Sequence, residues 1–199
     1  MNQKIPKILL ACAAIFFVLD IALAFFSLAS VWSGASVPLV SWLSNFICQG
    51  NFINGIITSL ILLFGQYILV ARRAYRMSEV AARFALDSMA QGFFEIDSML
   101  NAGKISVDEA EKMREDIRKE AEYYSALDGS TRFLVGTAKA NMILCAVIFA
   151  GAVAIEIFLQ GKTRLQAVEN AVFLAAGNVP LFVLPVSIAS LFVGFAAKN

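Results

Sequence analysis

Three charged residues interrupt otherwise apolar stretches of this chain: Asp20, Lys139 and Glu156. A charge in hydrocarbon is costly, so each is a candidate for function. Asp20 stands in the middle of its run. It could titrate with protons or gate an ion path, or it could pair structurally with a polar group on another helix. Lys139 and Glu156 lie near opposite ends of a second run. The long lysine stem lets its ammonium snorkel to the headgroups, and Glu156 is close enough to Lys162 and the polar boundary to be structural. A further set belongs to a charged stretch, where Arg76, Glu79, Arg83 and Asp87 interleave with Val80, Phe84 and Leu86. Arg76 and Arg83 are seven apart and Arg83 and Asp87 four apart, which puts all three on one helix face.

Other chemistries are missing. There is no histidine, so imidazole metal sites, Ser-His-Asp triads and imidazole pH sensing are excluded. Cys12, Cys48 and Cys145 have no metal-ligand spacing, and thiols in apolar runs read as packing groups. The stretch from Ile96 to Gly103 has acidic residues and a glycine, but not at the spacing of a calcium loop. No phosphate loop or zinc motif occurs, and no pair of carboxylates is placed for catalysis. Neither an enzyme nor a cofactor is expected. A net charge of +1, with no basic stripe, gives no reason to expect nucleic acid as a partner.

The elements that must position these residues are membrane helices. Hydrophobic residues make up 59% of the 199 and charged residues 16%, against about 45–50% and about 25% in soluble domains. Of the 31 charged residues, 22 fall between Arg72 and Arg132. Around that segment lie four runs long enough to cross a bilayer: Ile8 to Trp32, Phe52 to Val70, Phe133 to Leu159, and Ala167 to Ala197. The first is too long for a signal-peptide core and reads as a retained helix. Between the first two, Ser33 to Asn51 reads as a loop whose apolar part, Val37 to Ile47, lies on or dips into the interface. The fourth run carries Gly177, Pro180 and Pro185, which should kink or break it.

These spans divide the chain into residues 1–71, 72–132 and 133–199. The fold expected is an all-α membrane protein with four transmembrane helices and a cytoplasmic helical domain between the second and third. With both termini cytoplasmic, fourteen Lys and Arg residues, Lys198 among them, lie inside and only Lys162 and Arg164 outside. That is the positive-inside pattern. The charged segment itself reads as helices with a turn. A helix over 76–89 breaks at Gln91-Gly92, and Asn101-Ala102-Gly103 has turn chemistry. Ser106-Val107-Asp108-Glu109 is a capping-box pattern. It opens a helix with Ala110, Met113, Ile117, Ala121 and Tyr124 on one face, stopped at Asp128-Gly129-Ser130.

The block Glu79-Val80-Ala81-Ala82-Arg83-Phe84-Ala85-Leu86-Asp87-Ser88-Met89 resembles the FHIPEP family, the FlhA-type export-gate proteins of flagellar and virulence type III secretion systems. The resemblance continues through Ile96-Asp97, Leu100-Asn101-Ala102-Gly103, Glu120-Ala121-Glu122-Tyr123-Tyr124 and Ala126-Leu127-Asp128-Gly129. Gly50-Asn51-Phe52, Leu159-Gln160-Gly161, Gly177 and Pro185 also match the family. The resemblance implies a component of the bacterial inner membrane that forms a ring-shaped homo-oligomer. It would sit beside other export-apparatus membrane proteins and help drive export of unfolded protein substrates with the proton-motive force. It singles out Arg76, Arg83 and Asp87 as salt-bridging residues within or between subunits near the channel entrance. Glu79, Asp97, Asn101 and Asp128 belong to the same matched blocks.

The departures from the family matter as much. Family members carry further spans before this region and a large soluble domain after it, so the chain reads as a shortened, divergent member. An acidic residue usually follows the glycines matching Gly136 and Gly177; here Thr137 and Asn178 stand there. A small-polar pair further on is here Phe182 and Val183, and a Pro-Gly-Lys-Gln block is here Ala90-Gln91-Gly92-Phe93. Thr and Asn do not change charge in the physiological range, so proton coupling would have to rest on another group, with Asp20 the candidate. Two other readings stay open. One is an ion-coupled transporter or channel subunit using Asp20 and the interrupted fourth helix. The other is a structural or regulatory tetraspan protein whose hairpin binds a soluble partner.

Overall fold

The computed structural model describes residues 4–197, so the expectation for Lys198 lies outside the described residues. Those residues form six α-helices: α1 (Lys4–Ser33), α2 (Pro38–Cys48), α3 (Phe52–Gly65), α4 (Arg72–Asn101), α5 (Val107–Phe158) and α6 (Arg164–Ala196). A π-helical turn, Gln66–Ala71, joins α3 to α4 without a break. No strand occurs among the described residues. Four helical stretches are long and apolar enough to cross a membrane: α1, the α3–α4 rod, α5 and α6. All four expected spans therefore lie in helices.

The central helix is α5, which packs against α1, α4 and α6, while α2 lies against α6 and α3. At 52 residues it is about 78 Å long at 1.5 Å per residue, far more than the ~30 Å of a hydrocarbon core. Its N-terminal half pairs with α4 as a charged antiparallel hairpin. Its C-terminal half runs through the apolar bundle. Along it, buried Leu127, Leu134, Ala138, Asn141, Cys145, Ile148, Ala152 and Glu156 recur at helical spacing and face the other helices. Small residues are also buried on the neighbouring helices, including Ala13 and Ala24 of α1 and Ala167, Ala171, Ala176 and Ala189 of α6. In lipid, small side chains let helix backbones approach and gain dispersion contact where no hydrophobic force drives association. Many large rings point outward, Phe25, Phe26, Phe46, Phe192 and Phe195 among them, while Phe182 is buried in the bundle.

Four local expectations change. The segment Val37 to Ile47 is a helix, started by Pro38 in its first turn and packed on α6. Its close fit depends on Gly177, where a Cβ would stand 2.3 Å from the Val40 carbonyl oxygen. The break expected at Gln91-Gly92 is absent, since α4 runs on to Asn101. Gly92 is instead where Ile117 of α5 packs, 2.7 Å from an added Cβ. The stop expected at Asp128-Gly129-Ser130 is absent too, and α5 continues without interruption. There the polar side chains bond within or beside the helix. Ser130 Oγ lies 2.8 Å from the Ala126 carbonyl and 3.0 Å from that of Pro6, and Arg132 Nε donates to Asp128 Oδ2 at 2.9 Å. Finally, α6 passes through both prolines without breaking.

Other details agree with the sequence reading. The turn after α4 places Gly103 at φ 68, a left-handed conformation that suits glycine. The capping box is complete. Glu109 N–H donates to Ser106 Oγ at 3.3 Å, and Ser106 N–H donates to Glu109 Oε2 at 2.8 Å. The Ser106 backbone N–H and then the Ser106 hydroxyl, both donating to Oε2, hold the Glu109 carboxyl below its ordinary range.

Candidate functional site

The charged hairpin divides the matched residues into groups. Near its base, Arg132 of α5 is the hub. It donates to Asp128, lies 5.7 Å from the Tyr75 ring centroid, and feels the charge of Glu79 on α4. Its guanidinium is held more firmly protonated by the Asp128 hydrogen bond first and then by the charges around it. Glu79 in turn pairs with Arg83 at 3.5 Å. Glu79, Arg83 and Asp128 are thus drawn into one neighbourhood, with Ser78 and Thr131 hydrogen-bonded hydroxyl to hydroxyl beneath them.

Arg83 turns to Glu79 rather than to Asp87, in keeping with the better geometry of an acid four residues N-terminal to its base. Arg76 and Asp87 are exposed and make no ion pair among the described residues. Near the tip, Asp97 pairs with Arg114 across the two arms, and Arg118 sits 5.9 Å from the Phe93 ring centroid. Asn101 is exposed at the end of α4. The expected shared face of Arg76, Arg83 and Asp87 is therefore an open, solvated one.

The bundle interior holds a second polar set that sequence reasoning found only in part. Asp20 of α1 is 3% exposed. Asn141 of α5 stands beside its carboxylate and Cys145 lies close by, while Asp20 Oδ2 is buried with no partner among the described residues. Asn141 also donates from Nδ2 to the Phe182 carbonyl of α6 at 3.0 Å, and Gln66 Nε2, from the π-turn, reaches the same carbonyl at 3.3 Å. These two amides meet on the carbonyl three residues before Pro185. Pro185 has no N–H to give the preceding turn, and side-chain donors from neighbouring helices supply that turn. Neither amide had been singled out, because one neutral polar residue in an apolar run gives no periodic signal.

Toward the far end of the bundle, Ser27 of α1 donates to Asn178 Oδ1 at 2.9 Å, and Asn178 Nδ2 donates to the Leu174 carbonyl at 2.9 Å. Thr137 donates to the Phe133 carbonyl at 3.1 Å. The two positions where the resemblance implies acids are therefore neutral and locally bonded. Glu156 is buried and fully engaged, taking Lys162 Nζ at 2.9 Å and Asn170 Nδ2 at 3.0 Å. Lys139 is exposed, its Nζ 5.9 Å from the Tyr67 ring centroid. Of the three charges in apolar sequence, Asp20 alone is buried with an oxygen left over.

Four helices long and apolar enough to cross a membrane, packed around a polar seam and extended by a charged two-helix hairpin, define an all-α protein of the membrane class. The profile of the FHIPEP family matches residues 3–198, and the chain belongs to that family. It is 32% identical over 166 residues to the flagellar biosynthesis protein FlhA of Bacillus subtilis, covering 83% of this chain and 24% of that protein. Against FlhA of Escherichia coli K12 it is 30% identical over 191 residues, covering 95% and 28%. The low calcium response locus protein D of Yersinia pestis is 31% identical over 156 residues, covering 78% and 22%. The chain thus spans about a quarter of the length of these relatives. No solved structure matches.

Proposed function

We propose that this chain serves in the bacterial inner membrane as a component of a type III protein export apparatus, forming part of a ring with copies of itself. The observation that carries this reading is the family match, which runs through spans and hairpin alike rather than through one motif. The hairpin is the cytoplasmic element in this reading. Its open face of Arg76 and Asp87 makes charged contacts to a neighbouring subunit or another export-apparatus protein. The linked set of Glu79, Arg83, Arg132 and Asp128 fixes the hairpin base, while Asp97 and Asn101 stand at the tip toward exported substrates. An arginine without an ion pair among the described residues is a ready donor to a carboxylate across a subunit contact, where the pairing can be bidentate.

The test is co-purification from gently solubilised membranes. The wild-type chain is expected to run as a multi-subunit particle together with export-apparatus membrane proteins. Arg76→Glu with Asp87→Arg is expected to dissolve that particle without unfolding the chain. A well-folded wild-type monomer with no such partners would overturn the reading. A second reading follows from Asp20, a buried carboxylate with one oxygen left over among the described residues, linked through Asn141 to the proline-bearing α6: an ion-conducting subunit. Proton or ion flux in liposomes that Asp20→Asn abolishes would favour it, and flux unchanged by that substitution would dismiss it.

A further inference from the structure

Where α4 begins and α6 ends, the two helices leave a groove of about 320 Å³ between them, bordered by Val70, Arg73 and Met77 on one side and Ser190, Leu191 and Phe195 on the other. Its position is set by the sequence. Val70 closes an apolar run and Arg72-Arg73 follow at once, so the groove straddles the boundary between hydrocarbon and water. Three observations describe what it would hold. Its borders are mainly apolar, and Leu191 and Phe195 are 62% and 68% exposed toward the surroundings. Arg73 is exposed and makes no ion pair among the described residues, and the groove contains no carboxylate. The Ser190 hydroxyl is buried at the groove with no hydrogen-bond partner among the described residues, although a helical serine can ordinarily donate to the carbonyl one turn back.

The geometry points to a specific binding site for one anionic phospholipid. The headgroup phosphodiester accepts from the Arg73 guanidinium. Ser190 supplies a second donor, and an acyl chain lies along Val70, Leu191 and Phe195. Lipid is the medium on this side of the molecule, and an arginine with no acid of its own selects the negatively charged kind. Arg72, next in sequence, does not border this groove. It therefore serves as the control that separates a built site from the general attraction of any boundary arginine.

The chain is reconstituted in nanodiscs of phosphatidylcholine alone or mixed with phosphatidylglycerol, extracted gently, and its retained lipid counted by native mass spectrometry. Wild type is expected to keep phosphatidylglycerol in preference to phosphatidylcholine. Arg73→Gln should retain about fivefold to tenfold less of it, Ser190→Ala should lose part, and Arg72→Gln should stay within about twofold of wild type. Arg73→Lys keeps the charge and should recover most of the binding, which separates lipid loss from misfolding. Equal retention of the two lipids by wild type, or an equal loss in Arg72→Gln, would overturn the site. Displacement of the lipid by millimolar inorganic phosphate would overturn it too, because the groove would then be taking a soluble anion. A chain that failed to enter the disc would overturn the spanning reading and this inference with it.

Discussion

Asn141 serves two neighbours with one amide. Its Nδ2 donates to the Phe182 carbonyl, and it stands beside the Asp20 carboxylate. Gln66 reaches the same Phe182 oxygen from another helix. Interhelical hydrogen bonds in membranes are worth about 0.6–2 kcal/mol, so Asn141→Ala is expected to cost about 1 kcal/mol in reversible detergent unfolding. Gln66→Ala should cost less, because its bond is longer and Asn141 remains. The double substitution should cost more than the two single ones together, since only then is the Phe182 oxygen left without a side-chain donor. Strict additivity would mean that the two amides do not share the work of supplying the turn before Pro185. Thr137 donates only to a carbonyl of its own helix, whereas Asn178 does so and also accepts from Ser27 of α1.

Among the helices, glycines that look alike in sequence have different roles. Gly129 lies inside α5 with nothing within 4 Å of an added Cβ, whereas at Gly177 that atom would stand 2.3 Å from the Val40 carbonyl oxygen. Gly129→Ala is therefore expected to stabilise the hairpin by about 0.5–1 kcal/mol, the ordinary helix advantage of alanine. Gly177→Ala must push α2 away from α6, where the obstacle is backbone, and should lower the midpoint of thermal unfolding clearly. A thermal series of the two variants, followed by helical circular dichroism, checks both signs. Gly92→Ala should fall between them, because it meets only the end of the Ile117 side chain. The same contrast explains what the sequence could and could not reveal. The four spans were legible because hydrophobic length is a property of a segment alone. The hairpin turn and the Ser106–Glu109 box were legible because each is settled within a few residues. The continuity of α4 through Gly92 goes with the Ile117 side chain of α5 packed there, which no window of local sequence contains, while that of α5 through Asp128-Gly129-Ser130 goes with short-range bonds that turn-forming residue types mask. The candidate site divides the same way: Asp20 was conspicuous as a charge, while Asn141 and Gln66 became visible only once α1, the π-turn, α5 and α6 were brought together.

In the whole molecule, the direction of the bundle across the membrane decides which residues meet the cytoplasm. The two ends differ in kind. At one, Lys4, Lys7, Arg72, Arg73, Arg76 and Arg132 gather where α1, α4 and α5 meet the charged hairpin. At the other, Lys162 is drawn to buried Glu156, and Gln160 ties the α5–α6 turn to α1 by donating to the Val31 carbonyl at 2.6 Å. Cytoplasmic loops hold lysine and arginine because moving them across the membrane during insertion is unfavourable, so the hairpin end is expected inside. In a chain with its native cysteines replaced by alanine, a cysteine placed at Ala102 should react with an impermeant maleimide in inside-out vesicles and stay unlabelled in intact spheroplasts. One placed at Gly161 should do the reverse. Labelling of both from the same side would mean an odd number of crossings between the two positions is wrong, and that α5, the helix on which hairpin and bundle both depend, does not pass from one compartment to the other.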